Sequence, residues 1–250
     1  MANHTLNTIS VTPRTHDTSQ LATFKHMCFK QTNPNEADSL EFNYDEIIPM
    51  PATIMDAMSS SAILEWDELT RDTSVQCRDI KCGRRMIYKL LKLLDMSDKS
   101  TVAEALEALE LKKVEPSERG SYDTLEHYQY LVNQVNLHRY NLVHYGHRNW
   151  YDWSLENWGV KWNAYYTQIE HDDDGGMVFN FCSPWGWPQP VYEKMVKMFP
   201  DLLFEIEVVG EFGEFAYNIT TQGDDNELVC MPWTQQEMDE YFDSEHLEVV

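Results

Sequence analysis

The stretch from Trp162 to Thr221 limits the fold more than any other part of this chain, because it reads as strand, strand, helix, strand, strand. Trp162 to Glu170 is the first strand, and Asp172, Asp173, Asp174, Gly175 and Gly176 form a hairpin turn, where glycine admits positive φ. Met177 to Cys182 is the partner strand. Ser183-Pro184-Trp185-Gly186-Trp187-Pro188 is a tight loop opening a helix from Pro190 to Phe199. Val191, Met195, Val196 and Met198 give that helix its apolar contacts, and proline suits a first turn. Leu202 to Val209 is the next strand, Glu211 to Glu214 turns the chain, and Phe215 to Thr221 returns. Hairpin-linked strands around a helix predict an α+β domain built on an antiparallel sheet.

The N-terminus carries a strand–helix–strand run. His4 to Thr12 places Leu6, Ile9 and Val11 roughly on one face, and Pro13 stops it. Asp17 or Thr18 caps a helix from Ser19 to Phe29, with Leu21, Phe24 and Cys28 at helical spacing. Asn33-Pro34-Asn35 is a turn. Leu40 to Ile48 is a second strand, ended by Pro49 and Pro51, which lack backbone N–H groups.

Beyond Pro51 the chain turns helical. Cys77 to Leu94 predicts an amphipathic helix, with Ile80, Met86, Ile87, Leu90, Leu91 and Leu94 apolar and Arg78, Lys81, Arg84, Arg85, Lys89 and Lys92 basic. Thr101 and Glu104 form a capping box opening a helix to about Lys113, and Tyr122 to Asn136 is a further helix. The expected organisation is residues 1–51 and 146–222 as two parts of one α+β domain, 52–145 as an inserted helical subdomain, and 223–250 as an acidic C-terminal extension. Thr234 caps a last helix there, Gln235 to about Phe242.

Asn149 to Ala164 holds four of the eight tryptophans, Trp150, Trp153, Trp158 and Trp162. Such a cluster is the keystone of a core or a docking surface. Several segments resemble the YubB/Api-like group of ferredoxin-like proteins, carried by bacteriophages and conjugative plasmids. They are Tyr44-Asp45-Glu46-Ile47-Ile48-Pro49-Met50-Pro51, Asn149-Trp150-Tyr151-Asp152-Trp153, Asn157 to Ala164, Phe181 to Pro190, Tyr192 to Met195 and Phe199 to Leu202. The resemblance implies a ferredoxin-like antiparallel sheet with helices on one face, a mobile-element origin and the cytoplasm of a bacterial host. It names a topology and no iron–sulfur cluster. Family members commonly carry Trp and Cys near the N-terminus, where this chain has Asn3-His4-Thr5.

Charge narrows the function. Forty-two acidic residues against 19 basic ones give a net charge of −23. From Asp201 to Val250 there are fourteen acidic residues and no Lys or Arg. A field of one sign repels phosphate and attracts basic surfaces. Glu205, Glu207, Glu211, Glu214, Asp224, Asp225, Asp239, Glu240 and Asp243, with Trp185 and Trp187, are the candidate partner-binding residues. The expected partner is a host protein with a basic surface, a defence or nucleic-acid enzyme inhibited by an acidic face that imitates DNA. The alternative is nucleic-acid binding through Arg78, Lys81, Arg84, Arg85 and Lys89 with the tryptophan cluster.

The pattern of a catalytic set is missing, so the expectation is a non-enzyme without cofactor or metal. His138, His144 and His147 with Asp152 lack a recognisable ligand spacing, and the Asp172–Asp174 run lacks the alternating ligands of a calcium loop. Ser183 lacks a nucleophile-elbow context. Five scattered cysteines read as reduced thiols. No apolar run reaches membrane-spanning length, and Met-Ala-Asn-His-Thr-Leu lacks the build of a signal peptide.

Overall fold

The computed structural model describes residues 3–32, 39–114, 124–173, 175–223 and 227–243. The chain divides into two compact units, one of residues 1–50 with 153–250 and one of residues 51–152. In chain order the elements begin with β1 (His4–Pro13), α1 (Ser19–Met27), β2 (Phe29–Gln31), β3 (Leu40–Phe42), α2 (Ala52–Met55) and α3 (Ser61–Leu69). They continue with α4 (Arg84–Leu94), α5 (Val102–Leu111), α6 (Leu125–Tyr145), α7 (Trp150–Asn157), β4 (Tyr165–Asp172) and β5 (Met177–Pro184). The last are α8 (Gln189–Met198), β6 (Leu202–Gly210), β7 (Ala216–Gln222), β8 (Glu227–Pro232) and α9 (Gln235–Asp243).

The first unit is a mixed α+β structure around a six-stranded antiparallel sheet in the order β4-β5-β1-β6-β7-β8. Strand periodicity of two sorts β1 into a buried set, Thr5, Asn7, Ile9 and Val11, and a half-exposed set, Leu6, Thr8 and Ser10. Helices α1 and α8 cover the buried face. Phe24 of α1 packs its ring on Phe179, Phe199 and Phe204, with centroids 6.1, 5.3 and 5.8 Å away. Helix α8 turns Val191, Tyr192, Met195 and Val196 inward. Within this sheet β1 lies between β5 and β6, and α1 and α8 are the helices packed on it. The β2–β3 hairpin and residues 51–152 fall between α1 and β4, and β7 and β8 widen the sheet beyond β6.

The tryptophan-rich segment is partly core. Trp153 and Trp158 are buried with rings 5.5 Å apart, and Trp158 Nε1 donates to the Ile48 carbonyl at 2.9 Å. Trp162 is exposed.

Several boundaries differ from the sequence expectation, each for a local reason. The strand expected over Leu40–Ile48 stops at Phe42, because the Asn43 side chain accepts the Asp45 N–H and starts a 3-10 turn at Tyr44–Glu46. The helix expected over Cys77–Leu94 begins only at Arg84. Cys77–Asp79 is a separate 3-10 turn, and Gly83 adopts a left-handed conformation before the first helical residue. The strand expected from Trp162 begins at Tyr165, since Asn163 turns its side chain back to accept the Tyr44 N–H at 2.8 Å. The helix expected to end at Asn136 runs to Tyr145. The segment assigned to an acidic extension supplies β8, which pairs with β7 inside the sheet. The turn at Asn33–Asn35 lies outside the described residues, as do Asp174 in the hairpin and Tyr122 at the expected helix start.

The second unit is helical. Trp66, Ile87, Leu90, Val102, Ala105, Tyr128 and Leu131 form its dry core, and the Tyr128 hydroxyl donates to the Met86 carbonyl at 2.9 Å. The Thr101 and Glu104 side chains form the expected capping box at the start of α5. Further along α6 the inward positions become polar. His138 Nε2 lies 2.9 Å from the Met58 carbonyl, and Asn141 Nδ2 donates to the Thr53 carbonyl at 2.8 Å.

Candidate functional site

Residues opposite each other on antiparallel strands face the same way, so the register places three rows of side chains across the sheet face that α1 and α8 leave uncovered. One row is largely apolar: Tyr165, Cys182, Leu6, Val209 and Ala216. The next runs through Gln168, Asn180, Thr8, Glu207, Asn218 and Met231, and the third through His171, Val178, Ser10, Glu205, Thr220 and Val229. Asn180 Nδ2 donates to Glu170 Oε1 at 2.7 Å, which adds a third carboxylate to the same face. None of the three rows contains Lys or Arg. Helix α9 brings Tyr241 near Glu207. Burial first, and the Glu207 charge second, push the Tyr241 phenol up from its ordinary value.

At one end of the sheet the strand termini gather a second group. The backbone N–H of His4 donates to Glu211 Oε2 at 2.9 Å, and His4 Nδ1 lies 2.6 Å from the Tyr165 hydroxyl. Burial, with the charges of neighbouring Cys182, Tyr166 and Glu211, pushes the Tyr165 phenol up to about 12. Tyr166 and Trp185 both have positive φ, +56° and +68°, a backbone state that bulky residues rarely occupy. In Tyr166 it coincides with a register shift between β4 and β5. Trp185 is 52% exposed, and Lys161 Nζ lies 4.6 Å from its ring centroid. A buried network carries this loop from below: Tyr192 Oη donates to Asn7 Oδ1 (2.7 Å), Asn7 Nδ2 to Ser183 Oγ (2.8 Å), and Ser183 Oγ to the Gly186 carbonyl (2.5 Å).

The residues proposed from sequence are only partly brought together. Glu205 and Glu207 share the sheet face away from α1 and α8, two residues apart on β6. Glu211 and Glu214 sit at the β6–β7 turn, where Glu214 Oε2 accepts the Phe212 N–H at 3.0 Å. Asp239 and Glu240 lie on α9 and accept hydrogen bonds from Gln235 and Gln236 at 2.7 and 2.8 Å; Asp243 ends that helix. Asp224 and Asp225 lie outside the described residues. Trp185 faces solvent, whereas Trp187 is half-buried and stacks on Tyr192, with centroids 6.0 Å apart. Trp187 therefore belongs to the scaffold. Glu170 and Tyr165 were missed, because β4 is bulged and its alternation does not announce which side chains share a face.

The basic candidates also divide. Arg84, Arg85 and Lys89 are on α4, while Arg78 and Lys81 precede it, with Arg78 Nε 4.0 Å from Asp79. Among the described residues no group of three or more His, Cys, Asp and Glu is placed to hold a metal ion. His138 is buried, and burial is the main cause that lowers its imidazole from the ordinary value. His144 Nδ1 lies 2.8 Å from the Tyr140 carbonyl. At the hairpin, Asp172 pairs with Lys25, and Asp173 Oδ1 accepts the Gly175 and Gly176 N–H groups at 2.7 and 3.0 Å, so both carboxylates serve the turn.

Charge is divided unevenly between the units. Residues 1–50 and 153–250 carry 26 Asp and Glu against six Lys and Arg, a net −20, while residues 51–152 carry 16 against 13.

Fold and surface together define an α+β protein whose six-stranded sheet carries carboxylates on the face away from α1 and α8, with Cys182, Val209 and Ala216 buried at one end of that face and α9 near Glu207. No family model matches the chain. No curated protein matches it either. Among solved structures, the crystal structure of a protein api92 from Yersinia pseudotuberculosis, family model DUF1281, is a weak neighbour. Its TM-score is 0.42 and its identity 9%, over 94% of this chain and 99% of that one. Among the described residues no helix is long and apolar enough to cross a membrane.

Proposed function

We propose that this is a non-enzymatic binding protein whose acidic sheet face takes up a basic surface of a partner protein. The observation that carries the reading is the charge of this face, with Glu170 and Glu205 exposed, Glu207 half-exposed beside Tyr241, and no Lys or Arg in its three rows. Sheet modules that stack nucleobases surround their aromatic residues with basic ones, and this face has the opposite sign. Charge complementarity of this kind steers association and falls with salt. The segments that resemble the YubB/Api-like group add a setting: an accessory protein of a phage or conjugative plasmid, acting in the bacterial cytoplasm on a host defence or nucleic-acid enzyme.

Capture from bacterial lysate by wild-type protein and by the Glu205→Lys/Glu207→Lys variant, at low and high salt, tests the reading. The expected result is a basic partner held at low salt by the wild type alone. Equal capture by both proteins, or a partner without a basic surface, refutes it.

A second reading has its own observation. The apolar side of α4 is buried while Arg84, Arg85 and Lys92 are exposed, and among the described residues none of the three pairs with a carboxylate. Phosphate contacts from α4 would retain DNA or RNA on a filter at low salt and lose it in Arg84→Glu/Arg85→Glu. No retention at low salt removes this reading.

A further inference from the structure

We infer that β8 is a strand-addition site, and that the segment it accepts is an extended, lysine- or arginine-bearing stretch of polypeptide. The inference rests on the proposed binding of a basic partner and specifies how that partner is held.

Strand β8 is last in the sheet order, and its six residues pair with β7 without a register shift. The Trp233 N–H donates to the Ala216 carbonyl at 3.0 Å, and these two residues continue the β7–β8 register. Antiparallel pairs alternate between bonded and non-bonded, so that bond fixes the phase of the whole strand. Met231, Val229 and Glu227 turn their backbone groups to β7. Leu228 and Cys230 turn their N–H and C=O groups to the outside, together with the C=O of Pro232. A proline falls where its missing N–H removes no ladder bond. Among the described residues the Leu228 and Cys230 N–H groups have no hydrogen-bond acceptor. Cys230 and Met231 are exposed.

The opposite edge is protected, whereas among the described residues no strand pairs with the outer side of β8. Strand β4 carries two register shifts, and β3 lies along it, with the Phe42 N–H donating to Thr167 Oγ1 at 3.0 Å. Bulges, inward charges and covering loops are how sheets block unwanted pairing. Strand β8 has neither a bulge nor a lysine.

Charge selects the occupant. A second copy would bring two units of net −20 side by side. A basic strand finds Glu227 on β8 itself, within the field of a unit of net −20; helix α9 turns back over the sheet, with Tyr241 near Glu207 and Met238 and Phe242 facing Gly213. Side chains of an added strand alternate between faces. Those on the acidic side extend the rows ending in Met231 and Val229, three strand spacings, about 14 Å, from Glu207 and Glu205. At that distance the attraction is that of the field, and salt screens it over a Debye length of about 10 Å. Backbone pairing supplies the fixed geometry, as in other strand-addition complexes.

The test is residue-resolved amide exchange on the full chain, with a peptide of alternating lysine and threonine and with spermine, which carries charge and no peptide backbone. The peptide is expected to slow exchange at Leu228 and Cys230 by about tenfold or more, leaving Val229 and Met231 as they were, and spermine to slow neither. Cys230→Pro, which removes one outward N–H, is expected to weaken the peptide about tenfold and spermine not at all. Peptide binding without protection at Leu228 and Cys230 overturns strand addition and leaves the acidic-face reading standing. Failure of both probes to bind at low salt overturns both. Protection that grows with protein concentration and no peptide assigns the edge to a second copy and overturns the inference.

Discussion

Tyr192→Phe removes one oxygen atom from a fully buried network. Tyr192 and Asn7 have no solvent exposure, and the phenol donates to Asn7 Oδ1 at 2.7 Å. Asn7 Nδ2 is already committed to Ser183 Oγ at 2.8 Å and to the Thr5 carbonyl at 2.9 Å, so the amide cannot turn over to compensate. The variant therefore leaves a buried acceptor without a donor. That loss is worth about 1–3 kcal/mol, more than the net value of an average hydrogen bond. With a urea m-value of about 2 kcal/mol/M, the midpoint of the unit formed by residues 1–50 and 153–250 falls by roughly 0.5–1.5 M. Tryptophan fluorescence is the suitable probe, because six of the eight tryptophans lie in that unit. Burial holds the phenol well above its ordinary value, so the difference between the two proteins is expected to stay constant through the neutral range. A cycle with Asn7→Leu separates the pair from its surroundings, and a coupling of about 1–2 kcal/mol is expected. A midpoint shift under about 0.2 M in Tyr192→Phe, or a coupling near zero, would refute the claim that this hydrogen bond helps hold the Trp185 loop.

Two further changes concern residues 51–152. His138 is lowered below 6.5 chiefly by burial; its folded value lies under its unfolded one, so the unfolded state takes up the proton first. Stability is full above the unfolded value and is lost as pH falls below about 6.5 toward the folded value. His138→Gln should flatten that slope in urea titrations run at several pH values, and an unchanged slope would assign the effect elsewhere. Gly83→Ala places a Cβ 2.6 Å from Leu69 Cδ1 at φ +71°. The left-handed backbone alone costs about 1–2 kcal/mol, so thermal unfolding is expected several degrees lower, and an unchanged midpoint contradicts the geometry.

The central strands were legible because their two faces differ in chemistry. In β6, Leu202, Phe204, Ile206 and Val208 alternate with Glu205 and Glu207, so the strand and its acidic face were visible together. Strand β8 was not, since Leu228 and Val229 stand side by side and Cys230, Met231 and Pro232 give no period. Its existence depends on β7 being there to pair with. The end of α6 was hidden for a different reason. Its inward positions pass from Tyr128, Leu131 and Val135 to His138 and Asn141, so the spacing continues while the hydrophobicity stops. The helix expected from Cys77 failed the other way, with Ile80 at a plausible apolar position but Gly83 breaking the backbone. Trp185 and Trp187 are equivalent in sequence. Only the positive φ of Trp185 and the stacking of Trp187 on Tyr192 separate an exposed ring from a structural one.

The place of β1 in the sheet has a consequence for the order of assembly. It is made first, yet both its neighbours, β5 and β6, begin more than 160 residues later, at Met177 and Leu202. Residues 51–152 are contiguous and emerge whole before either neighbour exists. On a ribosome, the first strand therefore waits through the synthesis of an entire helical unit with its apolar side unmatched. Closing so long a loop costs only modestly more than closing a short one, because the entropy grows with the logarithm of length. The delay bears on rate and on exposure to wrong partners more than on final stability.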